Sequence, residues 1–300
     1  MMSTLKILIL GSAAGGGLPQ WNCGCPNCVK ARAGEIPSRS QSSIAVSANG
    51  ADWAIINASS DIRYQVAACP ALHPTGPRVS PIRSVFVTNG DIDHIAGLLT
   101  LRERQPFTLF ATSEITDVLA ENRIFDAVNR EVVDRQAVTL GQPFELAPGV
   151  TAEPFAVPGK VPLFMEGETV DTELEGEQTI GVALSAGGAT AYYIPGCAKL
   201  TPKLADRLAG AEMVIFDGTV WLNDEMARTG VGQKTGARMG HMSMTGEEGS
   251  IAAFAPLNVK RKIYVHMNNT NPVLDPTTPE RAEVERAGWL IAEDGMELSV

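Results

Sequence analysis

The sequence predicts an α/β fold of two mixed β-sheets with helices outside them, and three observations carry that expectation. Short apolar runs rich in β-branched and aromatic residues recur along the 300 residues, most of them bounded by Gly, Pro or Asn, as strands require. Helical patterns lie between several of these runs but do not alternate strictly with them. The first three strands arrive with no helix between them, and the chain is strand-rich again from 151 to 194. Strict alternation would predict a doubly wound nucleotide-binding fold, whereas this pattern predicts two packed sheets with helices on the outer faces.

In chain order the expected strands are 6–10, 44–47, 53–57, 84–87, 107–111, 180–185, 191–194, 213–216 and 263–266. The expected helices are 95–103, 113–121, 202–208, 246–255 and 279–287. Thr245 followed by Glu248 has the T-x-x-E form of a capping box and predicts a helix start there. Pro279 suits a first helical turn, where its missing N–H costs nothing. The acidic stretch 165–177 reads as a solvated loop rather than a substrate lid. With no internal repeat or linker in view, a single domain over 1–300 is expected.

Composition narrows the function classes. Lys and Arg number 24 against 34 Asp and Glu, a net charge of −10, and no basic block is present. Nucleic-acid affinity rests largely on counterion release by such blocks, so DNA and RNA are not expected partners. The apolar run Leu5 to Leu10 is short, contains Lys6 and ends in Gly-Ser, so it reads as a core strand rather than a signal segment. No stretch approaches the ~18 apolar residues that span a bilayer, and no membrane insertion is expected. The glycine-rich turn from Gly11 to Gly17 follows that strand but fits no phosphate-loop pattern. It reads as a turn needing positive φ or close backbone approach.

Two clusters carry chemistry. Cys23-Gly-Cys25-Pro-Asn-Cys28 packs three of the five cysteines into six residues. An odd, tightly spaced set is a poor disulfide framework and a good knuckle, spanning 21–28, for structural Zn2+. It implies a reducing compartment, the cytoplasm. In the segment Val85 to Leu98 an apolar strand runs into Asp91, Asp93 and His94 and then into an apolar helix. Polar groups at a strand's carboxyl end sit where α/β folds place ligands. An N-cap explains one of the two carboxylates but not both with an adjacent histidine.

Thr88-Asn89-Gly90-Asp91-Ile92-Asp93-His94 resembles the [ST]-H-x-H-x-D-H motif of the metallo-β-lactamase superfamily, with Asn89 and Asp91 in place of its first two histidines. Cys197, in Tyr193-Ile-Pro-Gly-Cys197, stands where the bridging Asp is usual. Phe216-Asp-Gly-Thr219 and Gly240-His-Met-Ser243 resemble the E-A-T and H-S-T segments of the transfer-RNA 3′ processing branch. Val265-His266 resembles the last ligand histidine. The T-N-x-D-x-D-H variant, the knuckle and His266-Met-Asn-Asn-Thr-Asn-Pro272 together resemble the pyrroloquinoline quinone (PQQ) synthesis protein B family, from Leu5 to the C-terminus.

The resemblance implies an αββα sandwich and an active-site divalent metal on Asp93, His94 and His266, with Asp91 as a further ligand or supporting group. The other metal position of the superfamily lacks its histidines, and 157–162 offers no replacement. Two histidines and one carboxylate suit Fe2+ that activates dioxygen. Asp217 and His241 are the candidates for orienting a ligand or moving protons, and His73 is an ordinary histidine. Asn269 is the candidate fourth zinc ligand. The implied activity is hydroxylation of a tyrosine in the PQQ precursor peptide or a Glu–Tyr fragment of it, with other PQQ-pathway proteins as possible partners. A soluble carrier moving PQQ or its precursor to the periplasm, and a metallohydrolase trimming the precursor, are the alternatives.

Overall fold

The computed structural model describes residues 4–300. The first half of the chain lays down β1 (Lys6–Gly11), β2 (Ser43–Ser47), β3 (Trp53–Ile56), β4 (Ile82–Phe86), β5 (Phe107–Thr112) and β6 (Val133–Val138). The second half lays down β7 (Phe144–Ala147), β8 (Val150–Ala156), β9 (Ile180–Ala186), β10 (Ala189–Ile194), β11 (Met213–Asp217), β12 (Arg261–Val265) and β13 (Trp289–Ile291). A last strand, β14 (Glu297–Ser299), returns to the first sheet beside β1. Each sheet has seven strands, ordered β14-β1-β2-β3-β4-β5-β6 and β13-β12-β11-β10-β9-β8-β7. Both are mixed: β3 to β6 pair parallel in one, and β10 to β13 pair parallel in the other.

The apolar runs are continuous because the inner strands bury both faces. Ile7 and Ile9 point into the core between the sheets, with Val182, Leu184, Ile215 and Ile263 opposite. Leu8 and Leu10, one residue out of phase, pack in the outer layer that also holds Ile62 and Ile115. Side chains alternate along a strand, so a strand covered on both sides needs apolar residues at every position. These two outer residues belong to α2 (Ile62–Ala68) and α4 (Ser113–Glu121). The second sheet is covered by α5 (Pro202–Leu208), α8 (Ser250–Phe254) and α9 (Pro279–Arg286), through Leu204, Leu208, Phe254 and Val284. The result is the αββα sandwich of two mixed sheets.

Some elements differ from the sequence expectation. A helix, α1 (Pro26–Ala33), does separate β1 from β2; it carries no apolar stripe and buries Cys28 and Ala31 instead. The helix expected over 95–103 is a single turn, α3 (Ile92–Ile95), followed by a 3-10 segment at Ala96–Arg102. Gly97 presses against the carbonyls of Ala58 and Ser59, where a Cβ would lie 2.1 Å from the Ser59 oxygen. The helix expected from 246 starts at Ser250, and its cap residue Gly249 makes no side-chain bond. Gly246 has φ +95° and turns the chain before the helix, while Thr245 Oγ1 donates to Glu283. The capping box is therefore not formed.

Candidate active site and cysteine knuckle

The site sits where strands of both sheets end. After β4, Thr88 is fixed to Asn57, which accepts from the Thr88 N–H at 2.9 Å and donates to its hydroxyl at 2.9 Å. The chain then turns through Asn89 and Gly90 into α3. A Cβ on Gly90 would lie 2.8 Å from the Pro162 ring, so glycine lets the two segments meet. Asp91 occupies the N-cap position of α3 without capping it, and Asp93 and His94 follow in its one turn.

His94 is buried, and its Nδ1 lies 2.7 Å from Asn89 Oδ1. An amide oxygen only accepts, so Nδ1 carries the proton and Nε2 presents a lone pair. That Nε2 is buried without a hydrogen-bond partner. From the second sheet, His266 follows β12 with φ +61°, a conformation uncommon for a residue with a side chain. Its Nε2 is 3.3 Å from Asp93 Oδ2. The donor atoms of Asp93, His94 and His266 all lie within 4.8 Å of one another.

Electrostatics fit that convergence. Burial alone would raise Asp93, but the neighbouring His94 and His266 hold it far below the usual carboxylate range. Burial pushes His94 down to about 4, leaving it neutral. Burial also opposes the charge on His266, yet the bond to Asp93 raises it above its ordinary value. The carboxylate and the two imidazoles thus converge on one place, as the ligands of a divalent cation do.

A second layer supports the first. Asp217, fully buried at the end of β11, accepts from the N–H groups of Cys197 and Thr219, each at 2.9 Å. It also lies 2.7 Å from both Thr219 Oγ1 and His241 Nδ1. Burial would raise Asp217, but His241 keeps it below the carboxylate norm. Thr219 Oγ1 is also 2.8 Å from His266 Nδ1. A hydroxyl has one proton to give, so Thr219 donating to Asp217 accepts from His266 Nδ1 and leaves His266 Nε2 facing Asp93. The His241 ring stacks on His266 at 5.2 Å between centroids.

Asp217, His241 and His266 form another group of donor atoms within 4.8 Å, although both Asp217 oxygens are already committed to hydrogen bonds. Asp91 joins neither group: it accepts from Asn89 Nδ2 at 3.1 Å and the Leu163 N–H at 3.4 Å, and burial raises its pKa. The Cys197 thiol is turned to the Lys199 carbonyl at 3.2 Å, away from both groups. His73 lies apart, with its Nε2 3.0 Å from the Ala67 carbonyl. The sequence reading assigned no role to Thr219 or Asn89. The signal available for them was the need of each buried imidazole for a fixed Nδ1 partner.

The three cysteines of the 21–28 turn come together. The sulfurs of Cys23, Cys25 and Cys28 lie within 4.8 Å of one another. Asn269 Nδ2 stands 3.2, 3.4 and 3.4 Å from them; an amide NH2 donates and does not ligate, so Asn269 would hold a metal only with its oxygen turned in. The Cys25 N–H donates to Cys23 Sγ and the Gln20 N–H to Cys28 Sγ. Burial, and after it the neighbouring Cys23 and Cys28 thiols, push Cys25 up to about 11. Asn27 Nδ2 donates to the carbonyls of Asn269 and Asn271, tying α1 to the loop that leaves β12.

A beta-lactamase superfamily domain matches residues 52–267. A coenzyme PQQ synthesis protein B from Ruegeria pomeroyi is 59% identical over 98% of this chain and 99% of its own. One from Methylobacterium radiotolerans is 54% identical over 99% of this chain and all of its own. The chain belongs to the coenzyme PQQ synthesis protein B family. Its place is therefore in PQQ biosynthesis. The crystal structure of Zn(2+)-bound PqqB from Methylobacterium extorquens superposes with a TM-score of 0.97 at 52% identity, covering 98% of this chain and 100% of that one. A diphosphatase of the PhnP family shares the fold alone, with a TM-score of 0.71 at 20% identity over 100% of this chain and 98% of that one. Among the described residues of this family member, no helix is long and apolar enough to cross a membrane.

Proposed function

We propose that the chain is a metal-dependent oxygenase that hydroxylates the tyrosine ring of the PQQ precursor peptide or of a Glu–Tyr fragment of it. The observation that carries this reading is the convergence of one carboxylate and two imidazoles, Asp93, His94 and His266, beside a position stripped of ligands. At that position Asn89 serves His94 instead of a metal, and the Cys197 thiol faces away. The orphaned, buried His94 Nε2 is what a resident cation would satisfy. Fe2+ held there would supply dioxygen binding and activation. Asn89 and Thr219 hold the two imidazoles with Nε2 inward, and Asp91 acts through Asn89. Asp217 fixes His241 through Nδ1, which leaves His241 Nε2 to hold or move a proton at the substrate.

The three knuckle sulfurs fit a structural Zn2+, with the Asn269 amide oxygen, turned in, as the fourth ligand, and free thiols accord with a cytoplasmic location. The test compares metal forms of the protein given a tyrosine-containing precursor. The Fe(II) form consumes O2 in step with products heavier by one or more oxygens, and the Zn(II) form does not turn over. Cleavage by the Zn(II) form, with gain of water and no oxygen demand, replaces this reading with a hydrolase. No turnover with either metal, together with PQQ bound near His266, makes the protein a carrier.

A further inference from the structure

The loop after β8 closes over the rim of this centre. Lys160, Val161 and Pro162 run against Gly90 and Asp91, and the Leu163 N–H donates to Asp91. A Cβ on Gly240, the residue before His241, would lie 3.3 Å from Lys160 Cγ. The next residues of the loop are open to solvent: Leu163, Phe164 and Met165 are 57%, 46% and 44% exposed. Glu166 breaks that trend, with a side chain only 8% exposed between Lys160 Nζ at 3.0 Å and Arg238 Nη2 at 2.8 Å. Ion pairing, not apolar burial, holds this carboxylate in.

Each cation meets its own oxygen of Glu166, but the pair carries one more charge than the carboxylate between them. Arg238 Nη1 is buried with no partner, while Glu166 Oε1 meets Lys160 Nζ at 3.0 Å. Lys160 Nζ also donates to its neighbour's carbonyl, at Val161, at 3.2 Å. Guanidinium groups bind carboxylates through two parallel N–H donors, and Arg238 uses one of its pair here. Glu166 is the chain's own carboxylate in a place with donors to spare.

We propose that Lys160 and Arg238 form a carboxylate-binding subsite at the rim of the Asp93–His94–His266 centre, closed in the free protein by Glu166, which a carboxylate of the substrate displaces. This rests on the reading that the centre acts on a carboxylate-bearing peptide. The loop from 163 to 166 is then a strap released by the ligand itself, and substrates without a carboxylate at that reach do not release it.

The test is calorimetric binding of a Glu–Tyr dipeptide to the full-length Zn(II)-loaded protein, which needs no turnover, alongside the same dipeptide with both carboxyls made primary amides. Lys160→Gln and Arg238→Gln each weaken the acid by about tenfold or more, the scale of a lost charged hydrogen bond, and leave the amide unchanged. Glu166→Gln acts in the opposite direction and tightens binding of the acid by about threefold or more, because the internal competitor has lost its charge. A purely structural ion pair would make all three variants weaker or indifferent. Arg238→Lys, which keeps the charge, guards against a folding defect by recovering part of the affinity. The proposal is overturned by equal affinity for acid and amide, by a Glu166→Gln variant that binds no tighter than wild type, or by no binding at all. If the predicted pattern appears but the Fe(II) protein consumes no oxygen, the oxygenase reading fails and the subsite stands.

Discussion

The knuckle and the aspartate–histidine centre both draw on the few residues that leave β12: His266 completes one and Asn269 faces the other. They are built in opposite ways. The knuckle takes its three sulfurs from one turn of chain, and backbone N–H groups support them. The centre takes Asp93 and His94 from the end of the first sheet and His266 from the second, 173 positions away, and side-chain oxygens fix both imidazoles. The three sulfurs keep their mutual spacing whatever the sheets do, with only Asn269 reaching them from the loop after β12, whereas the centre exists only while the sheets stay aligned. Dependence should therefore run one way, because the knuckle pins the loop that supplies His266 through Asn27 and Asn269.

Two substitutions break that comparison most sharply. His266→Ala removes a donor of the centre and should lower oxygen-coupled turnover by more than about a hundredfold, beyond the cost of losing a supporting partner. Metal analysis should still find the knuckle zinc. His73→Ala, outside both clusters, should leave turnover unchanged. Replacing Cys23, Cys25 and Cys28 together by Ser should lose that zinc and lower the melting temperature by more than about 10 °C, since a structural zinc site contributes folding energy directly. The same variant should bind the second metal more weakly. A variant that melts like wild type would show the knuckle to be no structural element.

Legibility in the sequence followed the range of the interactions. Strands covered on both sides, such as β1 and β11, announced themselves as unbroken apolar runs. The edge strand β6, Val133–Val138, buries little between its terminal valines and carries Asp134, Arg135 and Gln136, so no apolar run marked it. The helix α1 was hidden because its buried face is Asn27, Cys28 and Ala31 rather than an aliphatic stripe. Asp93, His94, His266 and the cysteines stood out because their residue types and spacing name their chemistry. Thr219 and the Lys160–Glu166–Arg238 group did not, because each is defined by a partner that the fold brings in, and Asn89 did not because an amide five residues before a histidine names no chemistry by itself. Glu166 and Arg238 are 72 positions apart, and no local pattern pairs them.

Thr219 sharpens the comparison from inside the centre. Its hydroxyl links Asp217 to His266 Nδ1, so Thr219→Val should keep the shape but lose the fixed tautomer. Active-site metal affinity should fall about ten- to a hundredfold, while the knuckle zinc is retained. Thr219→Ser restores the hydroxyl and should recover most of the affinity. Equal metal affinity in the Val variant and wild type would show that His266 needs no such partner.

The smallest expected effect falls on the residue that joins the two regions. Glu225 of α6 (Glu225–Arg228) accepts from the Trp221 N–H at 2.6 Å, just beyond Thr219, and from the hydroxyl of Thr270, just beyond Asn269. Burial raises it from 4.5 to about 7. The folded protein therefore holds a proton between those values that the unfolded chain has released. By linkage this contribution to stability is complete below pH 4.5 and is lost as pH rises through about 7. Glu225→Gln keeps an acceptor of the same shape without the charge, so its stability should not carry this slope. Melting curves from pH 5 to 8 should place variant and wild type together at pH 5. They should diverge at pH 8, with the variant higher by about 5 °C or more, the size that the roughly 2–3 kcal/mol carried by this shift produces in a large domain. Parallel curves over that range would mean that Glu225 is ionised throughout, and that its bonds to Trp221 and Thr270 outweigh the cost of burying its charge.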